Sequence, residues 1–431
     1  MFPTDRISML PAALLLLLNA ALTAAQTRQT LVLNAVVNEA APNPPFFTIP
    51  TANVLAVSIA LCTGTTDTPV PRFFVTNGSS TCKTATPQMS FQVGLSNDIP
   101  IHQVVNTSAL LGDTTASQAL LFSPPFSPQD VQDPTYPNYT LPNAIPSIPT
   151  PPSNPINYTV IVAPTSNGLL AMQQTACALS TQKSTGVVAN ESLWLRDSSG
   201  WRKEWLMTGL TAKTNYTVYI IQDTYKVSKP IFFTTKSSTF SCSLVSQLPY
   251  CPTIAYAVPL PAPPSPQVKY DSTNLPSSLV DPLTSSLTNF TTTLTTFACG
   301  RDFYSPLVTC ADCQRAYRIW LCAISFSRCA DPDTAPSAAA LLPSQSFQRP
   351  ESWVSLRGIS FTQLLPCLET CTATDRACPN FLGFRCPLPR FNAAQSYGVG
   401  YVDSGADGVQ GGGSTGSWSD AFGNVWCNSG W

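Results

Sequence analysis

Histidine is almost absent from this chain of 431 residues, and His102 is the only one. A Ser-His-Asp or Cys-His catalytic site needs an imidazole base, and zinc proteases of the H-E-x-x-H type need two histidines. The sequence also has no phosphate-cradling loop and no calcium loop with acids at the required spacing. We therefore predict a protein that is not an enzyme and that holds no cofactor or metal, and we interpret His102 as an ordinary strand or loop residue.

Charge is scarce as well. Lys, Arg, Asp and Glu together make up 10% of the residues, and the formal net charge is -1. A surface that recognises nucleic acid or acidic lipid needs a basic field, which this composition does not supply. The sequence therefore predicts no nucleic-acid partner.

Long hydrophobic runs are confined to the N-terminus. The apolar run 10–18 follows Arg6 and precedes Thr23-Ala24-Ala25, which is the layout of a secretory signal peptide over residues 1–25. The run is short for a spanning helix, which needs roughly 20 apolar residues, so cleavage is favoured over retention as an anchor. The C-terminal residues lack the hydrophobic tail of a lipid-anchor signal. We expect export through the secretory pathway.

Sequons for N-glycosylation support export. A single sequon carries little weight, but seven of them between residues 77 and 289 predict a glycosylated surface. The predicted acceptors are Asn77, Asn106, Asn138, Asn157, Asn190, Asn215 and Asn289.

The fifteen cysteines are unevenly distributed, with twelve of them from Cys242 onward. In an oxidising compartment disulfides are the default, so a disulfide-stabilised helix is favoured over a zinc site at Cys310-x-x-Cys313. Cys62 and Cys82 flank one segment and are a candidate pair, while the odd number leaves one thiol free or joined to another chain. The candidate disulfide cysteines are Cys62, Cys82, Cys242, Cys251, Cys299, Cys310, Cys313, Cys322, Cys329, Cys367, Cys371, Cys378, Cys386 and Cys427.

Two stretches are predicted to be β-structured. Residues 28–121 alternate short apolar runs with Gly, Pro and Asn, which is typical of a β-sandwich. Residues 156–240 contain a turn after Leu210 and a strand that opens at Tyr216, and this pattern resembles a corner of fibronectin type III or immunoglobulin-like modules. Proline-rich segments at 122–155 and 241–276 are interpreted as linkers.

Residues 277–431 are predicted to form a small helical, disulfide-rich domain with a Gly-rich tail. Asp281 is predicted to cap a first helix with Pro282 in its first turn, a second helix is predicted over 310–324, and a third over 361–371. The aromatic residues near Cys427 are expected to dock back or to meet a partner. The predicted fold class is therefore multidomain, with N-terminal β-sandwich-like domains before this helical domain.

The second predicted helix carries Tyr317, Arg318 and Trp320. Aromatic and Arg side chains on a disulfide-fixed helix are good interface anchors because they are pre-organised. Alternatively, Tyr317 and Trp320 fill the small core. The sequence leaves both interpretations open.

The run Cys310-x-x-Cys313-x-x-x-Tyr317-Arg318-x-Trp320-x-Cys322, followed by Arg328-Cys329, resembles a known cysteine-rich domain. It is the C-terminal domain of the fungal stretch-activated calcium-channel accessory subunits of the mating-pheromone-induced-death type. The animal sodium-leak-channel auxiliary factors are similar in that domain. The resemblance covers 299–427 with motifs and 28–240 in general character only, and one departure is the lack of a proline before Arg328.

This resemblance implies a non-enzymatic extracellular accessory subunit with a frizzled-like helical domain. Such a subunit binds the large four-repeat pore subunit of a voltage-gated-like calcium channel from outside, promotes its assembly and aids Ca²⁺ influx, with membrane stretch as a candidate stimulus. It is held at the outer face of the plasma membrane by that partner and is also expected in the endoplasmic reticulum.

Two other hypotheses remain open. A secreted cell-wall or adhesion glycoprotein with β-sandwich binding modules would bind carbohydrate and have no effect on calcium influx. A frizzled-like receptor domain for a lipid or other ligand would need an apolar groove in the cysteine-rich domain.

Overall fold

The computed structural model describes residues 29–40, 47–50, 56–62, 90–96, 109–128, 141–147, 150–335, 339–343, 361–388, 391–400, 419 and 423–430. The chain divides into two compact units. The first is drawn from residues 1–103, 172–181 and 224–227, and the second from 104–171, 182–223 and 228–431. The predicted signal peptide, His102 and the Gly-rich stretch 404–416 lie outside the described residues.

The described residues are rich in β-structure and contain a few helices. The strands are β1 (Gln29–Thr30), β2 (Ala35–Ala40), β3 (Phe47–Thr48), β4 (Ala56–Leu61), β5 (Ser90–Ser96), β6 (Leu110–Thr114), β7 (Gln118–Phe122), β8 (Tyr158–Pro164), β9 (Val187–Asp197), β10 (Gly200–Thr208), β11 (Asn215–Gln222), β12 (Lys226–Val227), β13 (Ile231–Thr234), β14 (Ser243–Val245), β15 (Tyr256–Val258), β16 (Arg328–Ala330), β17 (Leu341–Pro343) and β18 (Thr362–Leu364). The helices are α1 (Ala176–Ser180), α2 (Ser277–Leu294), α3 (Cys310–Ser325), α4 (Leu368–Ala377) and α5 (Ala393–Ser396). Among these helices, none has both the length and the apolar composition that crossing a membrane requires.

The first unit contains a three-stranded antiparallel sheet in the order β2-β5-β4, with Val93 and Leu95 of β5 in its core. A disulfide joins Cys62, just after β4, to Cys177 in α1. The proposed pairing of Cys62 with Cys82 is therefore wrong, and Cys82 itself lies outside the described residues. The two bonded cysteines are 115 residues apart, so no local pattern could reveal that they meet.

The second unit contains two facing sheets that share one core. One sheet has the order β6-β7-β10-β9, and in the other β11 pairs with both β8 and β13. The core between the sheets includes Trp201 and Trp205 of β10, Val162 of β8, and Tyr216 and Phe233 of the second sheet. β6 and β7 lie before the first proline of the segment 122–155, yet they share a sheet with β9 and β10, which follow that segment. The predicted separation into two β domains is thus not confirmed.

The corner predicted between Leu210 and Tyr216 is present. The backbone N–H of Thr211 donates a hydrogen bond of 2.8 Å to the Tyr216 hydroxyl oxygen, and the Tyr216 side chain is buried. This bond ties the turn before β11 to the strand itself.

Replacing Tyr216 by Phe removes that acceptor while keeping the ring. We expect the free energy of unfolding to fall by about 1 kcal/mol, the typical net value of one hydrogen bond. Denaturant unfolding measures the change. Thr211→Ser retains the same backbone N–H and should leave stability unaltered; an equal loss in both variants would contradict the assignment.

The sheet β6-β7-β10-β9, which we call the central sheet, is covered on both faces. Ala119 and Leu121 of β7 point into the core between the sheets, whereas Leu120 and Phe122 join a second core with Leu244. A strand buried on both sides needs a continuous apolar run rather than an alternating one, which explains the sequence Ala-Leu-Leu-Phe.

The segment 241–276, which was predicted to be a linker, supplies part of the layer that covers the second face of this sheet. β14 and β15 pair antiparallel within it, and Leu244 and Ala257 are fully buried. The linker prediction is not confirmed here. The prolines that suggested it, from Pro259 to Pro266, begin just after β15.

Two helix predictions need correction. The helix α2 begins at Ser277 after Pro276, so the prediction that Asp281 caps it is wrong, and Pro282 lies inside the helix. The earlier start places Leu279 and Val280 against the neighbouring core.

The predicted helix over 361–371 is also wrong in its first half. Residues 362–364 form β18, which pairs with both β16 and β17, and α4 begins only after Cys367. Pro366 disfavours a helical conformation at the residue before it, so the chain stays extended up to that point. The helix predicted over 310–324 is confirmed as α3, and Thr309 and Asp312 form a reciprocal capping box at its start.

Candidate interaction surface of the disulfide-rich region

Six disulfides hold the C-terminal half of the second unit together. They are Cys242–Cys329, Cys251–Cys322, Cys299–Cys310, Cys313–Cys378, Cys367–Cys427 and Cys371–Cys386. With Cys62, these bridges contain every candidate cysteine except Cys82. Cys310 and Cys313 bond to different partners, so their sulfurs are not available as a zinc pair.

The helix α3 is attached at three points. Cys310 bonds to the preceding loop, Cys313 to the residue after α4, and Cys322 to the segment before β15. Three covalent anchors on one helix of 16 residues leave it little freedom to move relative to its neighbours. This part of the molecule can therefore present side chains in a fixed arrangement.

Tyr317 and Trp320 belong to an aromatic stack within the protein. The Tyr317 ring stacks on Phe290 of α2 with a centroid distance of 3.6 Å. Trp320 meets Phe384 edge to face at 4.8 Å and donates a hydrogen bond of 2.9 Å from Nε1 to the Tyr397 hydroxyl. Both side chains are half-buried, and burial raises the pKa of Tyr317.

Arg318 is engaged in the same way. Its guanidinium donates to the backbone carbonyl oxygens of Asn143 and Ala144, at 3.2 and 3.0 Å. Burial, and then the nearby Arg315, lowers the pKa of Arg318 to about 10. The three residues predicted from the sequence to contact a partner, Tyr317, Arg318 and Trp320, thus make contacts within the protein itself.

The aromatic stack supports residues 384–388 and 391–400, which carry exposed apolar side chains. This segment is tied down by Cys371–Cys386, by pairing of Gly398 with Cys367, and by a hydrogen bond from the Gly400 N–H to Glu369. The outward-facing members are Leu388, Phe391 and Val399, at 59%, 79% and 58% exposure. We call these three residues the 388–399 patch.

A second group of exposed apolar side chains lies beside the Cys299–Cys310 bridge. Phe303, Leu307 and Phe381 are 83%, 89% and 56% exposed, and we call them the 303–381 patch. The Phe297 ring contacts Phe381 at a centroid distance of 5.8 Å, and it contacts Tyr304, the residue after Phe303, at 5.5 Å.

Tyr304 fixes the loop that bears Phe303 and Leu307. Its hydroxyl lies 2.6 Å from the Thr309 carbonyl oxygen and 2.8 Å from that of Ala377. Burial, and then the negative charge of Asp312, raises the pKa of Tyr304 to about 12, so the hydroxyl stays protonated.

Sequence reasoning missed both patches. From the sequence, Phe and Leu residues that remain exposed cannot be distinguished from those that form the core. Only the solvent-accessible surface of the folded protein distinguishes them. One signal was available in hindsight: Phe303 and Leu307 lie in a short loop between two cysteines, where a core is hard to build.

The disulfide-rich region differs from the rest of the chain in its predicted glycan sites and in its lysine content. The four predicted glycan acceptors among the described residues, Asn157, Asn190, Asn215 and Asn289, are all exposed. The sequence has no sequon after Asn289 and no lysine after Lys269. Protein interfaces favour aromatic residues and Arg and are depleted in Lys, so this composition suits an interaction surface.

A buried ion pair connects the disulfide-rich region to the central sheet. Arg328 of β16 donates from Nε to Asp113 Oδ2 of β6 at 2.9 Å, and both side chains are nearly inaccessible. The Lys236 ammonium lies 3.7 Å from the other carboxylate oxygen. Burial by itself would raise the pKa of Asp113, but the positive charges of Arg328 and Lys236 outweigh it and lower that pKa.

Arg328 is also packed on an aromatic face. Its guanidinium carbon lies 5.2 Å from the centroid of the Tyr256 ring, within the range of a cation–π contact. The Tyr256 hydroxyl in turn donates to the Phe326 carbonyl oxygen and accepts from the Asn428 amide. This polar cluster holds Asn428 against α3. Of the two expectations for the aromatic residues near Cys427, Trp426 fulfils the first, because it is buried on the protein itself next to the Cys367–Cys427 bridge, while Trp418 and Phe422 lie outside the described residues.

Comparison with known proteins identifies the group to which the chain is related. A family model described as "Mid1: Stretch-activated Ca2+-permeable channel component" matches residues 52–410. The chain is 33% identical to "Stretch-activated cation channel MID1" of Cryptococcus neoformans, over 78% of this chain and 62% of that protein.

Two further relatives carry similar names. "Stretch-activated cation channel yam8" of Schizosaccharomyces pombe is 27% identical, over 79% of this chain and 68% of the relative. "Stretch-activated cation channel MID1" of Saccharomyces cerevisiae is 29% identical, over 54% and 45%. The match with the first relative therefore spans about three fifths of that protein's length. Because the family model covers most of the sequence, the chain belongs to the Mid1 family of stretch-activated Ca²⁺-permeable channel components.

Proposed function

We propose that this protein is a non-catalytic extracellular subunit of a calcium-permeable channel and that it docks on the outside of the pore-forming subunit. The observation that carries the proposal is the 388–399 patch, three exposed apolar side chains on a segment fixed by a disulfide and an aromatic stack. Its membership of a family of channel components gives the partner class. The partner we propose is the large four-repeat pore subunit of a voltage-gated-like channel.

Rigidity favours this surface as a binding site. Association costs entropy when side chains and loops must be ordered, and a surface that is already fixed avoids part of that cost. Phe391 is the expected anchor, since aromatic residues dominate the energy of many interfaces and its side chain is largely exposed in the isolated chain.

The positions of the predicted glycans also support the proposal that the disulfide-rich region faces the pore subunit. The exposed acceptors all lie before residue 290, on the β-structured part and on α2. A glycan is bulky and keeps its surroundings in solvent. The sequon-free region after α2 is therefore the part of the second unit that we propose faces the pore subunit. Disulfides and glycans both require the secretory pathway, so we place the protein at the extracellular face of the plasma membrane.

Replacing Phe391 by Ser tests this surface. We expect roughly a ten-fold lower recovery of the pore subunit with the tagged protein, because the burial of one Phe side chain contributes about 1.5–3 kcal/mol. The measurement is co-purification from detergent-solubilised membranes, with calcium uptake as the second readout.

The matched control is Val187→Ser, which removes an exposed apolar side chain from β9 far along the chain. Equal recovery of the pore subunit with both variants would contradict the role of the 388–399 patch. Release of the wild-type protein from cells, with calcium uptake unchanged when it is deleted, would contradict the proposed function as a whole and favour a wall or adhesion protein.

A further inference from the structure

Two side chains of α3, Gln314 and Arg318, hold residues 141–147 against this helix, and we call these residues the cover segment. We infer that the cover segment occupies a binding site for an extended segment of the partner, which displaces it and carries a carboxylate that pairs with Arg318. The inference rests on the proposed function, because it takes the pore subunit as the source of that segment. It goes further by naming the chemistry of one contact and the part of this chain that moves.

The first argument is how the cover segment is recognised. Gln314 donates from Nε2 to the Pro142 carbonyl oxygen at 2.7 Å. Arg318 donates from Nη2 to the carbonyl oxygens of Asn143 and Ala144, at 3.2 and 3.0 Å. All three bonds end on backbone carbonyls, which any extended segment offers. Because Gln314 and Arg318 are four residues apart, they lie on one face of α3 and can receive another segment in the same way.

The second argument is that the cover segment is held weakly. None of its residues is buried, and none belongs to a helix, a strand or a disulfide. Leu141 and Ala144 are half-buried and pack against two apolar clusters, whereas Ile145 is 43% exposed. A segment with few buried contacts opens at a small fraction of the global free energy of unfolding. Its release therefore costs the rest of the fold little.

The third argument concerns the Arg318 guanidinium and selects a carboxylate. Its Nε atom is inaccessible to solvent and has no hydrogen-bond partner among the described residues. No carboxylate in that part of the chain lies within ion-pair distance of this cation, and Arg315 adds a like charge nearby. The two oxygens of a carboxylate match Nε and Nη2 together, which a single carbonyl oxygen cannot do. An Asp or Glu of the partner thus supplies both the acceptor and the charge that the cover segment lacks.

Replacing Arg318 by Met tests the carboxylate contact. We expect the free energy of unfolding to equal that of the wild type within error, since an apolar side chain of similar length replaces a cation that has no counter-charge. Recovery of the pore subunit from detergent-solubilised membranes should fall at least about ten-fold, because a charge-assisted bidentate pair is lost. Arg301→Met is the matched control: it removes an exposed arginine paired with Asp302 and should leave recovery unchanged.

Two further variants distinguish a carboxylate from a neutral acceptor. Arg318→Lys keeps the charge without the fork, whereas Arg318→Gln keeps N–H donors without the charge. We expect recovery with Lys to lie between those of the wild type and Met, and recovery with Gln to equal that with Met. Recovery with Gln as high as with Lys, recovery with Met as high as with the wild type, or a loss of stability that parallels the loss of recovery would overturn the inference.

Loosening the cover segment tests its displacement. Leu141→Ser removes a side chain that packs beside Cys310 and Cys313 of α3. Recovery of the pore subunit should rise about three-fold, because a site that is open for a larger fraction of the time binds more tightly. Ile145→Ser alters an exposed side chain of the same segment and should leave recovery unchanged. Recovery with Leu141→Ser no higher than with Ile145→Ser would show that the segment does not compete, and would overturn the inference.

The outcome is separable from that of the proposed function. Failure of the wild type to recover the pore subunit would overturn the proposed function and this inference with it. Recovery that depends on Phe391 but is the same with Arg318→Met as with the wild type would overturn the inference alone.

Discussion

Asp113→Asn is expected to lower the free energy of unfolding by about 3–5 kcal/mol, because it leaves the buried Arg328 guanidinium without its counter-charge. Both side chains are at most about one-twentieth exposed, so water cannot replace the lost carboxylate. The same carboxylate also accepts from the Ala257 N–H, which joins β6 to β15 as well as to β16. Chemical denaturation under non-reducing conditions measures the change.

Two further variants show whether the ion pair is responsible. Combining Asp113→Asn with Arg328→Met removes both charges, and the loss should be smaller than the sum of the two single losses. Lys213→Met breaks the exposed pair with Asp333 and should leave stability nearly unchanged. A loss for Asp113→Asn no larger than that for Lys213→Met would contradict the importance of the buried pair.

Acid should weaken the wild type through the same residue. The pKa of Asp113 is lowered in the folded protein, so its contribution is complete above the ordinary value of 3.8 and is lost as pH falls through the lower folded-state pKa. The Asp113→Asn variant lacks this titration. Its stability should therefore change less than that of the wild type between pH 4 and more acidic solution, and parallel curves would contradict the assignment.

Removal of the Cys313–Cys378 bridge by a double Ala substitution is expected to lower the free energy of unfolding by about 4 kcal/mol. The bridge closes a loop of 65 residues, and the chain-entropy model assigns larger effects to longer loops. The bridge also joins α3 to the end of α4, so recovery of the pore subunit and calcium uptake should fall together.

The Cys371–Cys386 bridge provides the internal comparison. It closes a loop of 15 residues, for which the same model gives about 3 kcal/mol. Denaturation of both double variants should therefore show a larger loss in the free energy of unfolding for removal of Cys313–Cys378 than for removal of Cys371–Cys386. The reverse order, or calcium uptake unchanged in both variants, would contradict the view that α3 must be held by its disulfides.

In the cysteine-rich region, local sequence was sufficient to predict the helix α3. The start of α3 is encoded in Thr309 and Asp312, whose side chains satisfy each other's backbone groups within one turn. Its aromatic and apolar spacing then predicts one buried face. The use of Tyr317 and Trp320 was left open, and the structure places them against Phe290 and Phe384.

The linker prediction for 241–276 was not confirmed and the capping prediction was wrong, because contacts with distant residues determine both structures. Proline content suggested that 241–276 is extended spacer, yet β14 and β15 cover the apolar face of β7. The Asp281 cap is a sound local signal, but residues 277–280 gain burial against another part of the fold, and the helix starts there instead.

By itself, the sequence determined the compositional expectations: export, disulfides in place of a metal site, a helix over 310–324, and the resemblance to channel components. Each of these depends on residue type or on neighbours within a few positions. Only the tertiary structure decided that Cys62 meets Cys177, that Asp113 meets Arg328, and which apolar side chains remain exposed. Those outcomes depend on contacts between residues 100 or more positions apart, or on surface left uncovered after folding, and no local pattern encodes either.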